Sequence, residues 1–221
     1  MTKKRIISSE RGTWLSKKVL GKVILILMIS IASGCSSDNP RKNTSSESLC
    51  TDYPDWTLSP YALPYPVGVE YRISQGNCTA SSHQGTLRYS YDIEMPFGSV
   101  VTSARKGVVH AIRIGQPEGT RGLTASNWIQ IRHEDNMISE YVHLAPNSNR
   151  VQVGDSIIKG DTLALTGDTG DVGTWPHLHF DISPCGNNLT CGTAPITFRN
   201  TRTNQNGLRE NERYKALEHK N

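Results

Sequence analysis

Between Tyr71 and Ser183 the chain breaks into short runs in which apolar residues recur at every second position, and this period constrains the fold more than any other feature. In NWIQIRHED, Ile129 and Ile131 fall on one side. In HLHFDIS, Leu178, Phe180 and Ile182 fall on one side while His177, His179 and Asp181 fall on the other. MISEYVHLAP reads as another strand, and SVVTSARKGVVHAIRIG as two strands around a turn at Arg105–Gly107. VQVGDSIIKGDTLALTGDTGD reads as short strands punctuated by Gly-Asp turns. Six or more short strands and no long helix before residue 200 predict an all-β domain, an antiparallel sandwich or barrel. From Arg199 the tail turns polar, and LRENERYKALEHK is expected to form a short surface helix.

The formal net charge of +4 is misleading as a sign of partners. Residues 1–34 alone carry +6, from seven Lys/Arg against Glu10, so the remainder is slightly acidic. Charge therefore gives no support to a nucleic-acid partner. The basic N-terminus precedes the apolar run Val23 to Ala32 and then small residues, the layout of an export signal over residues 1–34. The run is short for a membrane-spanning helix. IASGCSS resembles the lipobox of bacterial lipoproteins, which implies lipidation of Cys35 and a membrane anchor. Ser36, rather than Asp, follows that Cys, and the resemblance then implies an outer-membrane lipoprotein facing the periplasm.

Four cysteines remain: Cys50, Cys78, Cys185 and Cys191. An even count in an exported chain suggests two disulfides, with three pairings possible. One of them closes the short loop CGNNLTC and ties Cys50 to Cys78. A zinc site on four cysteines is the other reading, although no paired C-x2-C spacing is present. Residues 35–69 are expected to be a Ser/Asn-rich tether followed by a Pro- and aromatic-rich segment wrapped over the domain surface. Residues 70–198 form the domain, and 199–221 the tail.

Seven histidines need roles. His219 lies in the tail, and His110 and His133 suit ordinary polar positions near strand ends. His83, His143, His177 and His179 remain. A hydrolytic zinc site needs three protein ligands and one open position, and imidazole with carboxylate suits it. No H-E-x-x-H helix is present. HQG, YSYDIEMPFGSVVTSARKGVV, YVHL, VQVGDSIIKGDTLALTGDTG and PHLHFDI, in this order, resemble the lysostaphin-type, LytM-like zinc metallopeptidases of bacterial cell walls. The resemblance covers nearly half of the chain, from His83 to Ile182.

That resemblance implies a β-sandwich of the duplicated hybrid motif type, one Zn2+ per chain, and peptidoglycan as substrate. His83, Asp92 and His179 match the family's metal ligands, and His143 and His177 its catalytic histidines. One departure stands out. The family's usual spacing is His-x-x-x-Asp, but here eight residues, QGTLRYSY, separate His83 from Asp92, and Arg88 occupies the usual ligand position. An insertion that loops out would keep His83 as ligand. A broken site would instead suggest a non-catalytic relative that binds and activates cell-wall amidases. A third possibility, a biotinyl- or lipoyl-carrier-like hairpin at Lys159, lacks the motif such carriers need.

Overall fold

A computed structural model describes residues 50–122 and 124–218. The predicted signal segment, Cys35 and His219 lie outside the described residues. Ten strands follow in order: β1 (Glu70–Gln75), β2 (Tyr91–Glu94), β3 (Val100–Thr102), β4 (Gly107–Arg113), β5 (Trp128–Arg132), β6 (Ile138–Val142), β7 (Ser156–Ile157), β8 (Thr162–Leu165), β9 (Leu178–Ser183) and β10 (Arg213–Lys215). One helical turn, α1 (Asn188–Cys191), follows β9. Eight strands form an antiparallel sheet in the order β10-β1-β2-β9-β6-β5-β4-β7, and β3 pairs with β8 in a second sheet. The all-β expectation holds. Among the described residues no helix is long and apolar enough to cross a membrane.

The strand period assigns the two faces of the large sheet. Ile93, Ile129, Ile131, Tyr141, Leu178, Phe180 and Ile182 are buried in one core, which Val101, Leu163 and Ala164 of the small sheet join. Burying each such side chain stabilises the fold by about 1.5–3 kcal/mol. The alternate positions of the central strands carry Asp92, Gln130, Glu140, His179 and Asp181 on the opposite face. That face bears the chemistry.

β3 and β4 are the two strands read in SVVTSARKGVVHAIRIG, and they pair with different partners: β3 joins β8, and β4 lies between β5 and β7. Arg105, in the expected turn, is instead buried and donates to Asp135 at 2.7 Å, so the chain crosses between sheets there. The Pro- and aromatic-rich segment is not a mere surface wrap. Tyr61, Leu63 and Tyr65 join the core, Ala62 and Pro64 are buried between them, and backbone bonds Ala62 N to Ala104 O and Thr102 N to Pro64 O fix the segment. The tail, expected as a helix, supplies β10, which pairs with the edge strand β1 through Tyr71 opposite Tyr214. Tyr214 and Ala216 are buried while Arg213 and Lys215 are exposed, a strand alternation that overrides helix propensity. Both disulfides are formed, Cys50–Cys78 and Cys185–Cys191.

Because β10 covers the sheet edge with a buried aromatic, Tyr214→Ala should destabilise the fold by about 3–5 kcal/mol. A urea titration followed by circular dichroism would show the midpoint falling accordingly.

Candidate metal centre

The register of β2 on β9 places Asp92 opposite His179. Asp92 Oδ1 lies 2.8 Å from His179 Nδ1, 3.3 Å from His83 Nε2 and 3.6 Å from His177 Nε2. His83, nine positions before Asp92 in the chain, reaches it because the inserted residues form a 3-10 turn, Gly85–Leu87, that loops aside. Arg88 takes no part; its guanidinium lies over the Tyr89 ring.

His83 is fully buried, and its Nδ1 meets the Gly76 carbonyl at 2.9 Å. The ring therefore donates from Nδ1 and presents a lone pair at Nε2. That nitrogen has no hydrogen-bond partner, yet it faces a carboxylate oxygen. Two acceptors in contact in a buried site repel unless a cation lies between them. His179 is arranged in the same sense: its Nε2 faces Asp181 Oδ2 at 3.3 Å, which turns Nδ1 toward Asp92. One ligand atom each from His83, Asp92 and His179 lies within 4.8 Å of the others, and they form the one such ligand group among the described residues. Metal–ligand bonds of about 2.0–2.2 Å suit that span. The donor set, two imidazoles and a carboxylate, fits Zn2+. His133 also has a buried Nε2 without a partner, but it belongs to no converging group.

The electrostatics agree with a cationic centre. Burial works against charge on His179, but the carboxylates of Asp181 and Asp92 outweigh it and hold its pKa at about 10. Burial works against charge on Asp92, but the neighbouring imidazoles of His179, His83 and His177 outweigh it and hold its carboxyl well below the usual carboxylate range.

Two more imidazoles border this group. His143 follows β6, with its ring centroid 4.7 Å from that of His177 and 6.1 Å from that of His179. Burial, with the neighbouring His177 and His179, pushes its pKa down to about 3, so it is neutral at physiological pH. Its Nδ1 meets Thr169 O at 2.8 Å and that of His177 meets Trp175 O at 3.0 Å, which leaves both Nε2 atoms as lone-pair acceptors. The structure therefore brings all five predicted site residues together. His110 and His133 stand apart, against Arg132 and Lys106 O.

His143 occupies the left-handed region, φ 66°, an uncommon state for a residue with a side chain. Two residues that sequence reasoning missed hold it there. Asn127, fully buried, donates from Nδ2 to Leu144 O and Gln116 O, and its N–H donates to Thr169 Oγ1. Gly167 N–H donates to His143 O at 2.7 Å, and a Cβ on Gly167 would lie 2.6 Å from Ala145 backbone atoms. Only Gly167 of the Gly-Asp turn was a usable signal; Asn127 directly precedes β5 and carries none.

A model of peptidase family M23 matches residues 72–190. The chain belongs to peptidase family M23. This M23 chain is 30% identical over 128 residues to an uncharacterized metalloprotease of Buchnera aphidicola, covering 56% of the chain and 31% of that protein. It is 33% identical over 101 residues to the peptidoglycan DD-endopeptidase ShyC of Vibrio cholerae, covering 46% of the chain and 20% of that protein. The matched region thus spans less than a third of either relative. Among solved structures, a mutant catalytic domain of the M23 protein EnpA from Enterococcus faecalis aligns over 59% of the chain and 93% of its own length, at 19% identity and TM-score 0.45. The catalytic domain of lysostaphin from Staphylococcus simulans aligns over 57% and 87%, at 22% identity and TM-score 0.40.

Behind the site, burial and the neighbouring Asp181 raise the pKa of Glu140 to about 7. An acid raised in the folded state is deprotonated first in the unfolded chain. Unfolding then releases a proton between about pH 4.5 and 7, and stability falls as pH rises through that window. Glu140→Gln should remove this loss. Its urea midpoint, compared with the parent at pH 4 and pH 8, should gain on the parent at the higher pH.

Proposed function

We propose that this chain is a zinc-dependent endopeptidase that hydrolyses peptide bonds in peptidoglycan stem peptides or cross-links. The observation that carries the reading is the buried, unpartnered Nε2 of His83 aimed at Asp92, with His179 completing the ligand set. Family membership and the named activity of the Vibrio cholerae relative support the substrate class.

His83, Asp92 and His179 would hold the ion. When bound, Zn2+ supplies a Lewis acid for the scissile carbonyl and lowers the pKa of a bound water. The chain's own contribution is proton handling. His143 and His177 each have Nδ1 committed to a backbone carbonyl, so each accepts a proton only at Nε2. A proton taken there from the attacking water can be returned to the leaving amine. While protonated, the same nitrogen donates to the oxyanion of the tetrahedral intermediate. With His143 otherwise neutral, it withholds no proton from the resting site.

The long His83–Asp92 spacing is the main argument for a non-catalytic amidase activator, and it does not separate the two side chains. The compartment we infer is the bacterial envelope, with Cys35 lipidated and the domain facing the periplasm. Two disulfides support an oxidising location.

The test uses the full chain, oxidised and zinc-loaded, on cross-linked peptidoglycan fragments, with products read by mass spectrometry. New peptide ends should appear, and His83→Ala and His179→Ala should each lower the rate by more than about 100-fold, since even groups supporting the ligands are worth 10–100-fold. Undiminished cleavage by either variant would remove the zinc assignment.

A further inference from the structure

The side of His179 that faces away from Asp92 is held by a loop that the proposed reaction does not use. Asp181 Oδ2, which accepts from His179 Nε2 at 3.3 Å, receives its shortest contact from Asn188 Nδ2 at 2.7 Å and a longer one from Ser90 Oγ at 3.4 Å. The other oxygen of Asp181 is buried and has no partner. The orientation of this carboxylate therefore rests on Oδ2 alone. Glu140 sits directly across the β6–β9 pairing from Asp181. Its carboxyl takes Gln130 Nε2 at 3.0 Å and the same Asn188 Nδ2 at 2.9 Å. A single amide group, with two hydrogens, thus bridges the buried Asp181 and the half-buried Glu140.

Asn188 is delivered by the disulfide loop. It opens α1 inside the Cys185–Cys191 ring. Gln130 Nε2 also donates to Gly186 O at 2.8 Å, which seats this loop on the sheet. Past the second cysteine, Thr193 N–H donates to Thr86 O at 2.7 Å and Thr193 Oγ1 accepts from Tyr89 N–H at 2.9 Å. Thr86 lies in the 3-10 turn of the His83–Asp92 insertion. The covalently closed loop, with Thr193 just beyond it, therefore touches the supports of both histidines of the proposed ligand set.

We propose that Asn188, presented by the Cys185–Cys191 loop, is a positioning residue of the metal centre: it fixes Asp181 on His179 Nε2, so that Nδ1 is directed at the ion. This rests on the metal-centre reading above. Removing a group that orients a metal-bound histidine lowers metal affinity without removing a ligand.

Zinc affinity of the full oxidised chain, measured by competition with a chromophoric chelator, tests this. Asn188→Ala should bind Zn2+ about 10–100-fold more weakly, with an altered visible spectrum when loaded with Co2+ and little change in the melting temperature of the metal-free chain. Cys185→Ser with Cys191→Ser should weaken binding in the same direction, and adding Asn188→Ala to that pair should cost less than it does alone. Asn188→Ser, which is too short to bridge both acids, should reproduce the defect should the alanine variant misfold. Parental affinity in a folded Asn188 variant overturns this inference and leaves the metal centre standing. A parent chain that retains no zinc overturns the metal-centre reading and this inference with it.

Discussion

The contact between Asp92 and His179 across β2 and β9 is the constraint on which the site depends. It is set by strand register, not by local sequence. Slipping β9 by one residue would turn Leu178 and Phe180 onto the polar face and His179 into the core. The apolar half of each strand therefore enforces the geometry of the polar half. The energy of core burial holds ligands at a separation that their own electrostatics would not favour without a cation.

His83 could not be placed by that register, because it belongs to a loop. Its position depends on supports that converge on the insertion from outside. Cys78, tied to Cys50, donates its N–H to Arg88 O at 2.7 Å. Thr193, next to the Cys185–Cys191 ring, binds Thr86 and Tyr89. A longer loop costs only modestly more entropy to close, provided that its fixed points are rigid. Both disulfides supply fixed points on the segment that departs from the family spacing, which gives the insertion and the cysteines a common physical purpose.

What could be read from the sequence followed from periodicity and side-chain chemistry. The alternation in HLHFDIS separates core from site by itself, and imidazoles with a carboxylate define a ligand set whose convergence needed the structure to show. The ten strands were legible where alternation ran over four or more residues. The tail was not, because Tyr214 and Ala216 alternate over too short a run against a background of helix-forming Glu, Lys and Leu. The segment from Tyr61 to Tyr65 is buried throughout, and its proline and its flanking prolines disguised it as a surface loop. Asn127 and Asn188 were invisible for a different reason. An amide supports a site through partners brought from distant parts of the chain, and no local period or spacing encodes that.

These supports differ in kind, and the difference follows the chemistry each imidazole has to do. His179, the proposed ligand, is backed by the charge of Asp181, which would make its ring a stronger donor toward an ion. His143 is backed by the neutral carbonyl of Thr169, which fixes its tautomer without adding charge and leaves it easily deprotonated. A carboxylate behind His143 would raise its pKa and block its lone pair with a proton. A carbonyl behind His179 would leave the ligand less basic. In the proposed function, what accepts from the far nitrogen thus suits the same side chain to metal binding or to proton transfer.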